Sequence, residues 1–112
     1  MVKCLFCDIV AGKAPAAIIH QDEDSVAFKD IHPQAPTHIL LVSRKHIESL
    51  AASGEEDASL LGRLQRQAAR LAAQAQLESF RLVTNSGAGA GQTVAHLHYH
   101  LLGGRRMQWP PG

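Results

Sequence analysis

Three of the chain's seven histidines occupy every second position of Ala95-His96-Leu97-His98-Tyr99-His100-Leu101-Leu102. Alternate residues of a β-strand share one face, so a strand here carries a row of imidazoles backed by Leu97, Tyr99 and Leu101. Neighbouring rings are then expected roughly 7 Å apart, from two residues at about 3.4 Å rise each. Imidazole titrates near neutral pH, so such a face offers nucleophiles, acids, bases or metal ligands. A purely structural row would need a hydrogen-bond partner for each ring. Two further readings are a metal site built on His-x-His, and nucleophilic attack on phosphorus or an acyl group. The segment Ser86-Gly87-Ala88-Gly89-Ala90-Gly91 precedes the row and leads into it through Gln92 and Thr93. Taken alone, a glycine-rich segment is a flexible turn. Followed at once by histidines, its main-chain N–H groups can face an anion, which favours phosphate chemistry.

A second group of reactive side chains opens the chain, where Cys4 and Cys7 are spaced C-x-x-C. The N-terminus lacks the apolar core and cleavage site of a signal peptide, so a cytoplasmic location is expected. In that compartment the spacing favours a metal site or a redox pair over a structural disulfide, and two buried reduced thiols are the plain alternative. No parallel βαβ context supports the redox pair. A chain of 112 residues with 46% apolar content and a net charge of +1 makes one globular domain, residues 1–112. Its mean hydropathy is near zero. No apolar run approaches the ~20 residues that span a bilayer, so no membrane is expected. Scattered basic residues provide no patch for nucleic acid, and Arg63, Arg66 and Arg70 read as a solvated helix face.

The elements that must position these residues are legible in outline. A short helix follows the cysteines and ends near Gly12. Ala17–His20 and Ser25–Phe28 read as hairpin strands, and Asp30–Pro36, punctuated by two prolines, as an ordered loop. His38–Ser43 is a buried strand. Ser53 and Glu56 have capping-box spacing, and a helix runs from there to about Ala75 with Leu61, Leu64, Ala68, Leu71 and Ala75 on one face. That stripe is expected to pack on the chain's own sheet, and the same helix could share a dimer contact. Phe80–Asn85 is the next strand. Short turns between most strands indicate an α+β fold with an antiparallel sheet.

Together these residues resemble the histidine triad family of nucleotide hydrolases and transferases. The resemblance is carried by the histidine row, Asp30-Ile31-His32-Pro33-Gln34-Ala35-Pro36-Thr37-His38, Lys45-His46-Ile47, Asn85 and Gly91-Gln92-Thr93-Val94, in order. The end, Leu102-Gly103-Gly104-Arg105-Arg106-Met107-Gln108-Trp109-Pro110-Pro111-Gly112, resembles the Hint branch, the purine nucleoside phosphoramidases. The resemblance implies a sheet of about five strands with one long and one short helix, dimerising into a larger continuous sheet. The tail, about 103–112, would contribute to the dimer, with Trp109 shaping the partner's site.

It implies that His98 attacks the α-phosphorus of a purine nucleoside phosphoramidate, or of an acyl or aminoacyl adenylate, forming a covalent nucleotidyl-histidine. Nδ1–H of His98 would donate to a carbonyl of its own strand. His100 would stabilise the phosphate and His38 would complete the cluster. Asn85, Gly91, Gln92 and Thr93 would serve the phosphate or leaving group; the family often has Ser where Thr93 stands. Asp30 would accept from the ribose hydroxyls, with Leu5, Phe6, Ile9, Phe28, Ile31 and Leu40 forming the base slot. Each of these six is otherwise ordinary core.

The cysteine pair is absent from many Hint-branch proteins and resembles a zinc-binding version found elsewhere in the family. It implies Cys4, Cys7, His46 and His96 around one structural zinc, which the chemistry itself would not require. Two alternatives remain open: a dinucleoside polyphosphate hydrolase, which the tail speaks against, and a non-catalytic zinc- and nucleotide-binding interaction module.

Overall fold

A computed structural model describes residues 4–112. Five strands form one antiparallel sheet: β1 (Ile18–Gln21), β2 (Ser25–Lys29), β3 (Thr37–Ser43), β4 (Phe80–Val83) and β5 (His98–Gly103). Their spatial order is β1-β2-β3-β5-β4, so β3 and β5 lie side by side at the centre and β4 is an edge. Helix α1 (Leu5–Val10) covers one face, and helix α2 (Ala58–Gln74) packs on the other. Among the described residues, no helix is long and apolar enough to cross a membrane.

The two faces follow from strand alternation. On the α2 side, Ala27, Ile39, Leu41, Tyr99 and Leu101 meet Leu64, Ala68, Leu71 and Ala72. Across the sheet, Val26, Phe28, Leu40 and Val42 meet Phe6 and Ile9 of α1. The polar residues of β3 and β5, His38, His98 and His100, fall on this second side, because each lies one step from a residue buried under α2. In the β3–β5 register Leu40 stands opposite His100, Val42 opposite His98 and His38 opposite Leu102.

Helix α1 starts at Cys4, whose sulfur accepts from the Cys7 N–H at 3.4 Å, and it stops before Gly12, where φ is +76°. Glycine adopts that angle without the Cβ clash that penalises other residues. The long helix begins differently from the capping box expected at Ser53 and Glu56. Residues Glu55–Asp57 form a turn of 3₁₀ helix, and the Asp57 carboxylate reaches back to the Gly54 N–H at 2.9 Å. Asp57 also takes Lys45 Nζ at 2.6 Å, pinning the start of the helix to the end of β3. The expected stripe is buried at Leu64, Ala68 and Leu71, whereas Ala75 lies past the helix end and is exposed.

Candidate active site

β5 begins at His98, so His96 is not part of the ladder. This corrects the expectation that all three imidazoles stand in a row on one strand face. Just ahead of the strand the chain is bent: His96 N–H donates to Val94 O at 2.8 Å, and Leu97 N–H donates to Ile47 O at 2.6 Å. His98 and His100 do share a face, with ring centroids 5.1 Å apart rather than the expected 7 Å, because the rings lean together. Phe6 of α1 sets its ring edge-on against His98 at 4.9 Å.

Hydrogen bonds decide which nitrogen of each ring carries its proton. His98 Nδ1 lies 2.7 Å from the main-chain oxygen of His96. A carbonyl only accepts, so Nδ1 bears the hydrogen, and in the neutral ring the lone pair is on Nε2. His100 is set the other way by a relay. Gln34 N–H donates to His38 Nδ1 at 3.0 Å, so neutral His38 carries its proton on Nε2. That nitrogen is 2.9 Å from His100 Nδ1 and 3.4 Å from Asp30 Oδ2. His100 Nδ1 therefore accepts, and its proton sits on Nε2. One lone pair and one N–H donor are thus presented by adjacent rings on the same face. Burial pushes His38 below the usual imidazole range, opposed by the Asp30 carboxylate. Burial, with His98 and His38 alongside, pushes His100 down to about 4. Both are neutral at physiological pH.

Asp30, His38 and His100 bring ligand-type atoms within 4.8 Å of one another. A metal on His38 Nε2 would need the proton on Nδ1, facing the Gln34 N–H, donor against donor. The main chain therefore sets this group up for hydrogen bonding.

The side chains of Cys4, Cys7, His46 and His96 converge within the same limit. Here the tautomer logic runs toward a metal. His96 is fully buried, and its Nε2 lies 2.6 Å from Ser43 O, so the Nδ1 lone pair points into the cluster. Nδ1 of His96 is 3.3 Å from Cys4 Sγ, 3.5 Å from Cys7 Sγ and 3.1 Å from His46 Nδ1, and His46 Nδ1 is 3.2 Å from Cys7 Sγ. Tetrahedral zinc spaces nitrogen and sulfur ligands about 3.4–3.8 Å apart, so small adjustments would admit the ion. The Ser43 carbonyl behind His96 is the outer partner that metal-bound histidines typically have. Two thiols and two imidazoles fit zinc, and four protein ligands leave no open position. Burial, the Cys4 sulfur and Asp8 push the Cys7 thiol up to about 11 in the metal-free chain. A cation there displaces the thiol proton.

With this geometry established, comparison with known proteins places the chain. A HIT domain family model matches residues 11–107. The chain belongs to the HIT domain family. An uncharacterized HIT-like protein of Synechocystis is 49% identical over 109 residues, covering 96% of each chain. The crystal structure of a HIT family hydrolase from Legionella pneumophila superposes with a TM-score of 0.94 at 46% identity, covering 98% of this chain and 100% of that one. The chain is thus a HIT family hydrolase-like protein. A zinc-bound histidine triad family protein from Mycobacterium smegmatis, 31% identical, has a TM-score of 0.78 over 92% of this chain and 76% of its own. That HIT relative and the Cys₂His₂ geometry are both consistent with zinc at Cys4, Cys7, His46 and His96.

The other residues expected at the site fall into four groups. Asp30 lies beside the imidazoles, its Oδ1 accepting from His32 N–H at 2.8 Å. Asn85 flanks Gly91, its Nδ2 being 3.9 Å from where a Cβ on that glycine would stand. Phe6, Ile9, Phe28 and Leu40 form one packed cluster, while Leu5 (53% exposed) and Ile31 (85% exposed) stand out from it. Trp109 is 83% exposed, and the tail is tied to edge strand β4 by Arg81 donating to Gln108 O at 2.9 Å.

The glycine loop differs from the simple cradle expected. It turns back on itself, with Ala90 and Gln92 N–H donating to Gly87 O, Gly91 N–H to Ala88 O and Gly87 N–H to Gln92 Oε1. Gly87 and Gly91 have φ of +96° and +95°, which this tight turn requires. Among the described residues, the N–H groups of Thr93, Val94 and Ala95 stay outside any backbone hydrogen bond. The Gln92 amide is engaged by the protein itself rather than turned toward a ligand. Sequence reasoning missed Gln34 and Ser43, since main-chain groups leave no mark on residue type. It also did not single out Thr84, whose hydroxyl donates to His98 O at 2.8 Å.

Proposed function

We propose that the chain hydrolyses purine nucleoside 5′-phosphoramidates, as in the Hint branch, and by the same chemistry acyl or aminoacyl adenylates. His98 is the nucleophile. One observation carries this reading: the 2.7 Å contact between His98 Nδ1 and His96 O, which leaves a lone pair on Nε2 of a ring on the sheet's imidazole face. A neutral imidazole needs no metal to attack phosphorus near pH 7. His98 Nε2 bonds to the α-phosphorus as the P–N bond of the substrate breaks, and the departing nitrogen takes a proton from solvent water and leaves as the amine. Water then cleaves the nucleotidyl-histidine, releasing nucleoside monophosphate and restoring His98. The His100 Nε2–H donates to the phosphate oxygens as charge builds there, and His38 holds His100 in that tautomer.

Substrate binding follows from the same placement. Asp30 accepts from the ribose hydroxyls through its carboxylate. Leu5 and Ile31 form the rim of the base slot, and Phe6, Ile9, Phe28 and Leu40 its floor. Asn85, Gly91 and Thr93 serve the phosphate and leaving group. Zinc on Cys4, Cys7, His46 and His96 ties α1 to the segment before β5 and supplies a structural cross-link. The functional unit is a homodimer joined along the β4 side, where Phe80 and Trp109 are exposed, with Trp109 of each chain reaching the other's leaving group. In a turnover assay with adenosine 5′-phosphoramidate, the wild type releases AMP and His98→Ala does not. Equal release by both would refute the reading, and preference for a dinucleoside polyphosphate would reassign the substrate.

A further inference from the structure

The side-chain amide of Gln92 makes three hydrogen bonds to three different segments. Its Oε1 accepts from Gly87 N–H at 2.8 Å, and its Nε2 donates to Glu48 O at 2.7 Å and to Val94 O at 3.0 Å. Both N–H donors and one acceptor position of the amide are therefore satisfied by main chain. Gly87 opens the glycine turn, Val94 leads toward β5, and Glu48 belongs to the stretch after β3. That stretch acts as a splint along residues 86–97: Ile47 O accepts from Leu97 N–H, and Ala51 N–H donates to Ser86 Oγ at 3.1 Å. Gln92 is the side chain that joins splint, turn and the approach to β5.

The consequence for the site lies in the Val94 peptide. Its carbonyl accepts from both Gln92 Nε2 and His96 N–H. In a trans peptide the C=O and the following N–H point in opposite directions. Holding the Val94 carbonyl therefore fixes the direction of the Ala95 N–H, in the segment whose amides have no backbone partner among the described residues. Anion recognition by main-chain N–H groups depends on holding several of them in place before the ligand arrives.

We propose that Gln92 is a positioning residue, which shapes the 93–95 main chain to receive the substrate's phosphate and does not itself touch the substrate. This rests on the nucleoside phosphoramidate reading of the site proposed above. It departs from the direct phosphate contact that the motif alone implies for Gln92.

Two variants of similar size separate the possibilities. Gln92→Met removes all three bonds, whereas Gln92→Glu keeps an acceptor for Gly87 N–H but sets a carboxylate against two carbonyls. Loss of the clasp is expected to speed amide hydrogen exchange at residues 87–95 in both, leaving β3 and α2 protected. AMP binding should weaken about tenfold in Gln92→Met, the effect of roughly one or two lost hydrogen bonds, and further in Gln92→Glu. The KM for adenosine 5′-phosphoramidate should rise in step while kcat stays within about threefold, since a preorganised ground-state contact is lost. Wild-type exchange and AMP affinity in Gln92→Met would overturn the proposal. So would a large fall in kcat at unchanged KM, which marks direct contact with the transition state. Failure of the wild type to bind AMP would overturn the nucleoside phosphoramidate reading and this proposal with it. Altered exchange without altered AMP affinity would overturn the positioning role alone.

Discussion

His96 and His98 stand two residues apart, and each has one ring nitrogen held by a carbonyl, yet they belong to different sites. The Ser43 carbonyl holds Nε2 of His96, so Nδ1 faces two cysteines and another imidazole. The His96 carbonyl holds Nδ1 of His98, so the lone pair of that neutral ring is on Nε2. One residue, His96, thus contributes its ring to the Cys₂His₂ cluster and its main chain to the hydrogen bond that orients the His98 ring. The contrast teaches that residue type does not assign a histidine its job. The nitrogen that the main chain occupies does, because it leaves the other one for metal or substrate.

If the two clusters are as distinct as this, disabling each should have different consequences. The largest effect is expected from His98→Ala, which should lower kcat/KM for adenosine 5′-phosphoramidate by about 10³-fold or more. Its melting temperature and bound zinc, read by calorimetry and elemental analysis, should match the wild type. Loss of zinc from this variant would merge the two clusters. The converse experiment, Cys7→Ala or chelation, should cost stability instead. A site worth about 2 kcal/mol would lower Tm by about 10 °C in a domain of this size. Turnover of the protein that stays folded should remain within a few-fold of the starting rate. Immediate loss of turnover with an intact fold, reversed by metal, would make the zinc catalytic and remove His98 from the role proposed for it.

A finer probe is the relay from Gln34 through His38 to His100. His38→Ala frees His100 to take either tautomer and should reduce kcat about tenfold, with a smaller change in KM, in steady-state assays. An unchanged kcat would leave the relay without a part in the chemistry. The smallest effect concerns pH. His100 is held down to about 4 in the folded chain, with His98, His38 and Asp30 facing it. An unfolded imidazole titrates near 6.5, so between these values the unfolded state binds the extra proton. The stabilisation is full above about pH 6.5 and is lost as pH falls toward 4. Denaturation curves should show His100→Gln less sensitive than the wild type over that window. Equal slopes would mean that His100 is not buried neutral.

Much of this arrangement was legible in the residues, for a physical reason in each case. Alternation in β3 and β5 sorts side chains to two faces, so His38, His98 and His100 had to share one once those strands were read correctly. The C-x-x-C pair could be placed with His46 and His96 only through family resemblance, because the contact spans the whole chain. What stayed hidden were matters of the main chain. The bend at Val94–Leu97 removes His96 from the strand, and it depends on Ile47 O and Gln92, which no periodicity reports. The Asp57 cap displaced the Ser53–Glu56 box because its carboxylate also reaches Lys45, a tertiary contact. The glycine loop read as an anion cradle, but the N–H groups of Gly87, Ala90 and Gly91 close its own turn.

The central claim is that His98 alone forms the covalent link, through Nε2, while His96 serves the metal cluster with its ring. The most direct test mixes zinc-replete protein with adenosine 5′-phosphoramidate, quenches within the first turnover, and locates the adenylyl group by peptide mass spectrometry and phosphorus NMR. The account predicts an adduct on Nε2 of His98 and none in the His98→Ala protein. An adduct on His96 or His100, or turnover by His98→Ala, would contradict it.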